Sequence, residues 1–370
     1  MGDTMRKMRL AAVQASSVFL DREASIEKAC CLIREAGAKG ADLVGLPEGF
    51  IPTHPTWFHF LPATGPKSKD FCLELFKNSV EIPSPATDAL CQACREAGII
   101  AVVGLCEKMP NRTGNMYNTQ LFIDQNGKIL GKHQKIMPTL GERIVHTGGY
   151  GYTMTAFPTS FGNISGLLCG ENSNPLAIFA LASMYPQVHV AAWPSHFDQG
   201  VWMQDSISAA SRGLAYTMKA FVINAVAVVT DELIDAYALT DEDREYMEKA
   251  RDTGAASIVA PMGKLIAGPM DAGEGILYAD VDLNDLIIPK IWTDYAGHYN
   301  RFDLFSLRLN VDIPHPVKQI RSRPVQDDTE FASGQFMGID DESALNLLED
   351  RSHLLEDGPR SQKNRPDKKR

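Results

Sequence analysis

Ile164-Ser165-Gly166-Leu167-Leu168-Cys169-Gly170-Glu171-Asn172 reads as a buried strand that delivers a thiol to a tight turn, and Ser173-Asn174-Pro175-Leu176 reads as the start of a helix. Strand, turn and helix in that order form the unit of an α/β protein, whose ligands bind beyond the carboxyl ends of the strands. Backbone N–H groups at such an elbow can hold an oxyanion and lower a thiol pKa from its usual ~8.5. Cys169 is therefore a candidate nucleophile.

The same alternation of short apolar runs and helical periodicity extends to both sides of the elbow. Strands are expected near residues 8–14, 41–46, 99–105, 117–124, 164–169, 188–193, 220–227 and 256–260. The clearest helices are 22–38, where Ile26, Ala29, Leu32 and Ile33 form an apolar stripe, 86–98 and 204–219. Asp124-Gln125-Asn126-Gly127-Lys128 lies between two apolar segments, and its Asn-Gly pair supplies the positive φ angles of a tight hairpin, so the sheet is expected to be mixed. No repeat or linker interrupts the first 310 or so residues, which favours one compact domain over residues 1–316. The extension at 317–370 loses apolar periodicity; its last dozen residues are expected to be disordered, with Ser343 to Leu355 as a short acidic helix or a solvated tail.

Two further segments end an apolar run with a reactive group. Leu43-Val44-Gly45-Leu46-Pro47-Glu48 places a carboxylate where burial would raise its pKa, as suits a general base. Lys132-His133-Gln134-Lys135-Ile136-Met137-Pro138 places an ammonium beside an apolar stretch, where it would stabilise developing negative charge, and Glu142 follows closely enough to share that site. Taken singly, Glu48 reads as a cap or ion-pair carboxylate, Lys135 as a surface lysine and Cys169 as a small buried residue. Their combination is what points to chemistry.

Composition narrows the classes. The 370 residues are 44% hydrophobic and 22% charged, with a formal net charge of -10, which disfavours nucleic acid or anionic lipid as a partner. The longest strongly apolar run, 221–229, is too short for a membrane span of ~20 residues, and Met1 to Leu10 lacks the layout of a secretory signal. Seven cysteines, an odd number in a long chain, suit a reducing compartment, so a cytoplasmic protein is expected. Cys91 and Cys94 form a CxxC on an amphipathic helix without a second pair, and with Cys30, Cys31, Cys72 and Cys106 they read as core.

LPEGF (46–50), HQKIMPT (133–139) and LCGENSNPL (168–176), in that order and spacing, resemble the Glu-Lys-Cys triad segments of the nitrilase family. MRLAAVQAS (8–16), YNTQLFID (117–124), GER (141–143), AAWPSHF (191–197), FVINA (221–225) and GHYNRFDL (297–304) extend the likeness over roughly residues 8 to 310. The resemblance implies a four-layer αββα sandwich with mixed sheets. It also implies hydrolysis of a nitrile to a carboxylic acid and ammonia, with Glu48 as base, Cys169 as nucleophile, Lys135 stabilising the nitrogen and Glu142 orienting substrate and lysine. No metal, nucleotide or redox cofactor is implied, because a thiol and a carboxylate suffice. Subunits are expected to pair across helices near the active site, and the resemblance extends that expectation to larger helical or ring-like homo-oligomers. An amidase, a nitrile or cyanide hydratase, and a catalytically silent binding or scaffold member are the alternatives.

Two departures reshape the pocket. Gly170 stands where many relatives carry Trp after the nucleophile, and Val145-His146-Thr147-Gly148-Gly149 stands where many have a Trp-Gly pair. Trp57, Gly170, Trp193 and His196 are the substrate-binding candidates, with His54, Phe58, His59 and Phe197 as neighbours that line a pocket or pack as core. Glu171 and Asn172 are expected to fix the elbow by hydrogen bonds.

Overall fold

The computed structural model describes residues 4–197, 201–251, 253–313 and 317. Along the chain run β1 (Lys7–Gln14), α1 (Arg22–Ala38), β2 (Leu43–Gly45), α2 (Pro66–Asn78), α3 (Pro85–Ala97), β3 (Ile100–Lys108), β4 (Met116–Ile123), β5 (Ile129–Gln134), β6 (Phe157–Thr159) and β7 (Gly162–Leu168). There follow α4 (Pro175–Ala182), β8 (Pro186–Trp193), α5 (Val201–Met218), β9 (Phe221–Val226), α6 (Asp231–Tyr237), α7 (Asp241–Glu248), β10 (Ser257–Val259), β11 (Leu265–Ala267), β12 (Gly275–Asp282) and α8 (Ile287–Thr293).

In β1 the residues Leu10, Ala11, Ala12 and Val13 are all fully buried, which requires cover on both faces of the strand. Alternation sorts them: Ala11 and Val13 pack with Ile26, Ala29 and Ile33 of α1 and Leu90 and Cys94 of α3, while Leu10 and Ala12 join a core shared with β8 and β9. The first sheet has the order β5-β4-β3-β2-β1-β12, parallel from β3 to β1 and antiparallel at its outer pairs. The second, β6-β7-β8-β9-β10-β11, is parallel from β7 to β9 and antiparallel outside them. The two are joined through the pairing of Gln14 with Val226. With α1 and α3 on one outer face and α4 and α5 on the other, the result is a four-layer αββα sandwich of mixed sheets.

Close contact between the sheets depends on small residues. A Cβ on Gly45 of β2 would lie 2.7 Å from Val190 Cγ1 and 3.2 Å from Ile223 Cγ2. Across the same gap Gln120 of β4 donates to the Val190 carbonyl at 3.1 Å.

The expected helices and strands are present, with informative differences. α3 ends where Gly98 adopts φ 64°, a left-handed cap. The 124–128 hairpin uses one left-handed residue, Gly127 at φ 74°, rather than an Asn-Gly pair, because the Asp124 carboxylate accepts from the N–H groups of Asn126 and Lys128 and sets the turn itself. The 164–169 strand stops at Leu168, so Cys169 belongs to the turn. β12, which pairs along all of β1, was not expected from the sequence, since its half-exposed residues follow the Asp271–Glu274 loop and lack a clear apolar alternation. Cys31 is exposed on α1 and so does not belong to the core, while Cys72 is half-buried and packs against the edge of a core cluster. Residues 343–355 and the last dozen lie outside the described residues. No helix among the described residues is long and apolar enough to cross a membrane.

Gly45→Ala is expected to destabilise the fold by about 1–3 kcal/mol, the usual cost of overpacking a dense interior. Chemical denaturation measures it, and an unchanged midpoint would mean that the sheets are not held at this separation.

Candidate active site

Glu48 follows β2 through Leu46 and Pro47 and is buried. A Cβ at Gly104 on neighbouring β3 would overlap the Pro47 carbonyl and come within 2.9 Å of the Glu48 Cα, so glycine at 104 makes room for this crossing. Lys135 follows β5, its N–H donating to the Asn118 carbonyl of β4 at 2.8 Å. Glu142 sits in a 3-10 turn, Leu140–Ile144, entered through Thr139, whose N–H donates to Glu142 Oε2 at 2.8 Å.

These three side chains meet in one dry cluster. The Lys135 ammonium donates to Glu48 Oε1 and Glu142 Oε2, each at 2.7 Å. Asn118 Nδ2 donates to Glu48 Oε1 at 2.7 Å and to Glu142 Oε1 at 2.6 Å, and His146 Nδ1 lies 3.2 Å from Glu142 Oε1. Every oxygen of the two carboxylates is thus engaged except Glu48 Oε2, which is buried without a hydrogen-bond partner among the described residues.

Cys169 stands at the elbow after β7 with φ 47°, a left-handed conformation that a non-glycine residue adopts under constraint. The constraint is visible in the hydrogen bonds around it. Glu171 accepts from the Ile136 N–H at 2.7 Å and the Leu168 N–H at 3.2 Å, with His133 Nε2 at 3.0 Å from the same carboxylate. Asn172 Nδ2 donates to the Leu167 and Cys169 carbonyls, and its Oδ1 lies 3.0 Å from His189 Nε2. Burial pulls His189 down to about 3, so the ring is neutral, Nε2 donates to Asn172, and Nδ1 accepts from Ser165 at 2.9 Å. Glu171 and Asn172 brace the turn, as expected.

The electrostatics differ from the sequence reading in two places. Burial, reinforced by the Glu48 and Glu142 charges, pushes the Cys169 thiol up to about 12 against the opposing pull of Lys135 and the Gly170 N–H. The lowering pull of the elbow is therefore present but outweighed. Burial also acts to raise Glu48, but Lys135 and then His54 outweigh it, and the carboxyl lies below its usual range rather than above it. Glu142 is likewise held well below, burial being overcome by the hydrogen bond with His146 and by the nearby His54 and Lys135. Burial opposes the charge on Lys135, yet Glu48 and Glu142 raise it and keep it an ammonium. The resting arrangement is a thiol facing an ionised carboxylate.

The pocket candidates divide. Trp57 is fully buried among Phe19, Phe71 and Tyr237, at ring separations of 6.4, 5.5 and 6.4 Å, and offers no surface to a substrate. Trp193 is also buried, its indole N–H donating to Asn224 at 3.1 Å. Gly170 is exposed, with open space where a side chain would project. His196 lies near enough to Glu48 and His54 to interact with both, and burial pulls it down to about 4. Asn118 and His146 were not singled out as site residues. The sequence does hold a signal for the first: Asn118, Thr119 and Gln120 interrupt an apolar strand, and all three are fully buried. Among the described residues the donor set with the makeup of a metal site is Glu48, His54 and Glu142, but the Lys135 ammonium already stands as the cation between the two carboxylates.

Residues 9–287 match the family model described as carbon-nitrogen hydrolase. A nitrilase of Bacillus sp. (strain OxB-1) is 38% identical over 317 residues, 85% of this chain and 91% of its own, and an aliphatic nitrilase of Rhodococcus rhodochrous is 35% identical over 84% of each chain. Among solved structures, the NitFhit protein of C. elegans superposes with a TM-score of 0.63 at 18% identity, over 85% of this chain and 70% of its own. A carbon-nitrogen hydrolase from Helicobacter pylori G27 gives 0.62 at 17% identity, over 81% and 97%. The buried carboxylate and lysine and the half-buried cysteine thus stand on a chain that belongs, by sequence over most of its length and by fold, to the nitrilase branch of the carbon-nitrogen hydrolases.

Proposed function

We propose that the protein hydrolyses an organic nitrile to a carboxylic acid and ammonia through a covalent intermediate on Cys169. Support comes above all from Glu48, one of whose oxygens is held by Lys135 and Asn118 while the other is buried and free, within electrostatic reach of the Cys169 sulfur. A thiol held near 12 is not ionised at rest, so the proton leaves only as the sulfur attacks.

In the first step the Cys169 S–H proton passes to Glu48 Oε2, the sulfur bonds to the nitrile carbon, and one C–N π bond breaks. The nitrogen takes up the proton from Glu48, giving a thioimidate, while Lys135 stabilises the charge that builds on it. Water then adds to the carbon with one proton going through Glu48 to nitrogen; the remaining hydroxyl proton follows as the C–N bond breaks, so that a C=O forms and ammonia leaves. The resulting thioester takes a second water in the same way, and the C–S bond breaks to give the acid and the free thiol. Glu142 holds Lys135 and, through Asn118, the alignment of Glu48. The sum is one nitrile and two waters to one acid and one ammonia.

The catalytic domain spans residues 1–316, followed by an extension at 317–370. The protein works in the cytoplasm, a reading supported by seven free cysteines, and assembles as a homo-oligomer from paired subunits. Large apolar side chains left exposed near the end of the described chain, Trp292 and Phe305 at 66% and 69%, support self-association.

Cys169→Ala is expected to abolish ammonia release from a panel of nitriles while melting like the parent, and a variant with parental activity would remove the sulfur from the mechanism. Separation of acid from amide among the products tests the second half of the sequence, since predominant amide would mean that the thiol, not ammonia, is expelled. Alkylation of Cys169 by iodoacetamide is expected to keep rising close to tenfold per pH unit up to at least about pH 9. A plateau near neutrality would show that the sulfur is already ionised at rest. Because Glu48 and Glu142 are both held below their unfolded value of 4.5, their contribution to stability is complete above that pH and is lost as acid protonates them in the fold. Thermal melting is expected to fall as pH drops below about 4.5, with a shallower slope in that acid range in Glu142→Gln than in the parent.

A further inference from the structure

His54 stands outside the four groups assigned above and in the middle of them. Its Nε2 lies 3.4 Å from Glu48 Oε1 and 3.7 Å from Glu142 Oε2, and its side chain is 11% exposed. The backbone is built to bring it there. Gly49, at φ 59°, turns the chain directly after Glu48, and a Cβ on it would lie 2.9 Å from the His54 Cβ, so the loop folds back only over a bare glycine. Neither ring nitrogen finds a hydrogen-bond partner among the described residues; what faces the ring is the pair of carboxylates.

A charge count shows why that matters. The cavity holds two carboxylates and one ammonium, all buried, which leaves one negative charge in excess where solvent cannot screen it. The other titratable groups are poorly suited to balance it. His146 serves Glu142 and burial keeps its pKa low, His196 is lowered by burial, and His59, on the same segment as His54, is lowered by burial and by His54. His54 alone moves upward: burial opposes its charge, but Glu142 and then Glu48 outweigh burial.

We propose that His54 supplies the second positive charge of the cavity, a positioning residue that keeps Glu48 and Glu142 ionised while the Lys135 ammonium turns to the substrate nitrogen. This rests on the nitrile-hydrolysing reading above. Passage of the Cys169 proton to Glu48 leaves the total charge unchanged, so with His54 charged the cavity stays neutral as sulfur and then nitrogen become anionic. With a neutral residue at 54 the same step occurs in a cavity carrying one uncompensated negative charge. Neither bonds nor protons of the reaction pass through the ring.

The test compares the parent with His54→Asn and His54→Lys on a nitrile that the parent hydrolyses, after melting curves and circular dichroism have shown each variant folded. His54→Asn is expected to lower kcat by about tenfold or more with KM within about threefold, the size of effect seen when a preorganised charge is lost. The acid limb of its kcat/KM profile moves to higher pH, because removing a positive neighbour raises the pKa of Glu48, and an alkaline limb present in the parent disappears. His54→Lys recovers part of kcat. Parental kcat with an unmoved acid limb in His54→Asn would overturn the proposal. NMR titration of the His54 ring in Cys169→Ala reads its charge without turnover: a ring charged at neutral pH supports the assignment and a neutral one refutes it, even if the parent hydrolyses no nitrile and the functional reading itself fails.

Discussion

The structure depends on one ammonium held between two carboxylates where water does not reach. Lys135 makes 2.7 Å contacts to both Glu48 and Glu142. Buried charges are tolerated only when paired and hydrogen-bonded, so loss of any member strands another. Each comes from a different element: the end of β2, the end of β5 and the 3-10 turn beyond it. Asn118 of β4 donates to both carboxylates and fixes their spacing. The strand order β5-β4-β3-β2 brings these groups to one end of the first sheet.

The second sheet carries the sulfur. Its elbow is tied to the first sheet by Glu171, which accepts from Ile136 next to Lys135 and from Leu168 next to Cys169. A single carboxylate therefore registers Lys135 against Cys169. Beneath it, His189, Asn172 and Ser165 satisfy one another's polar groups and hold the Cys169 carbonyl. The width of the gap between the sheets is set in part by glycines, Gly45 toward β8 and β9 and Gly166 toward Gln120 and Phe122.

The electrostatic consequence is a site that stores no thiolate. Carboxylates near the sulfur raise its pKa, and the lysine that lowers it is shared with those same carboxylates. On the proposed mechanism, reactivity is created when a substrate draws Lys135 toward its nitrogen and Glu48 takes the proton.

Much of the fold was legible in the chain alone, because hydrophobic period separates strand from helix: the short apolar runs of β1, β3 and β9, alternating with helical stripes, already meant strands of an α/β protein. Glu48, Lys135 and Cys169 were legible for the related reason that each ends such a run, at the edge where ligands gather. What the sequence left open follows from interactions between elements distant along the chain. It could report that Glu48 is buried, and so suggested a raised pKa, but the sign was decided by Lys135, 87 residues away, and by His54 folded back over Gly49. Asn118 and His146 acquire roles only through the carboxylate they share, and Trp57 and Trp193, as plausible for a pocket as for a core by residue type, are core because aromatic and polar neighbours enclose them. Local pattern determined where chain is buried and where it turns; tertiary structure alone decided which charges face one another, because Coulomb energy depends on distance in space and not on separation in sequence.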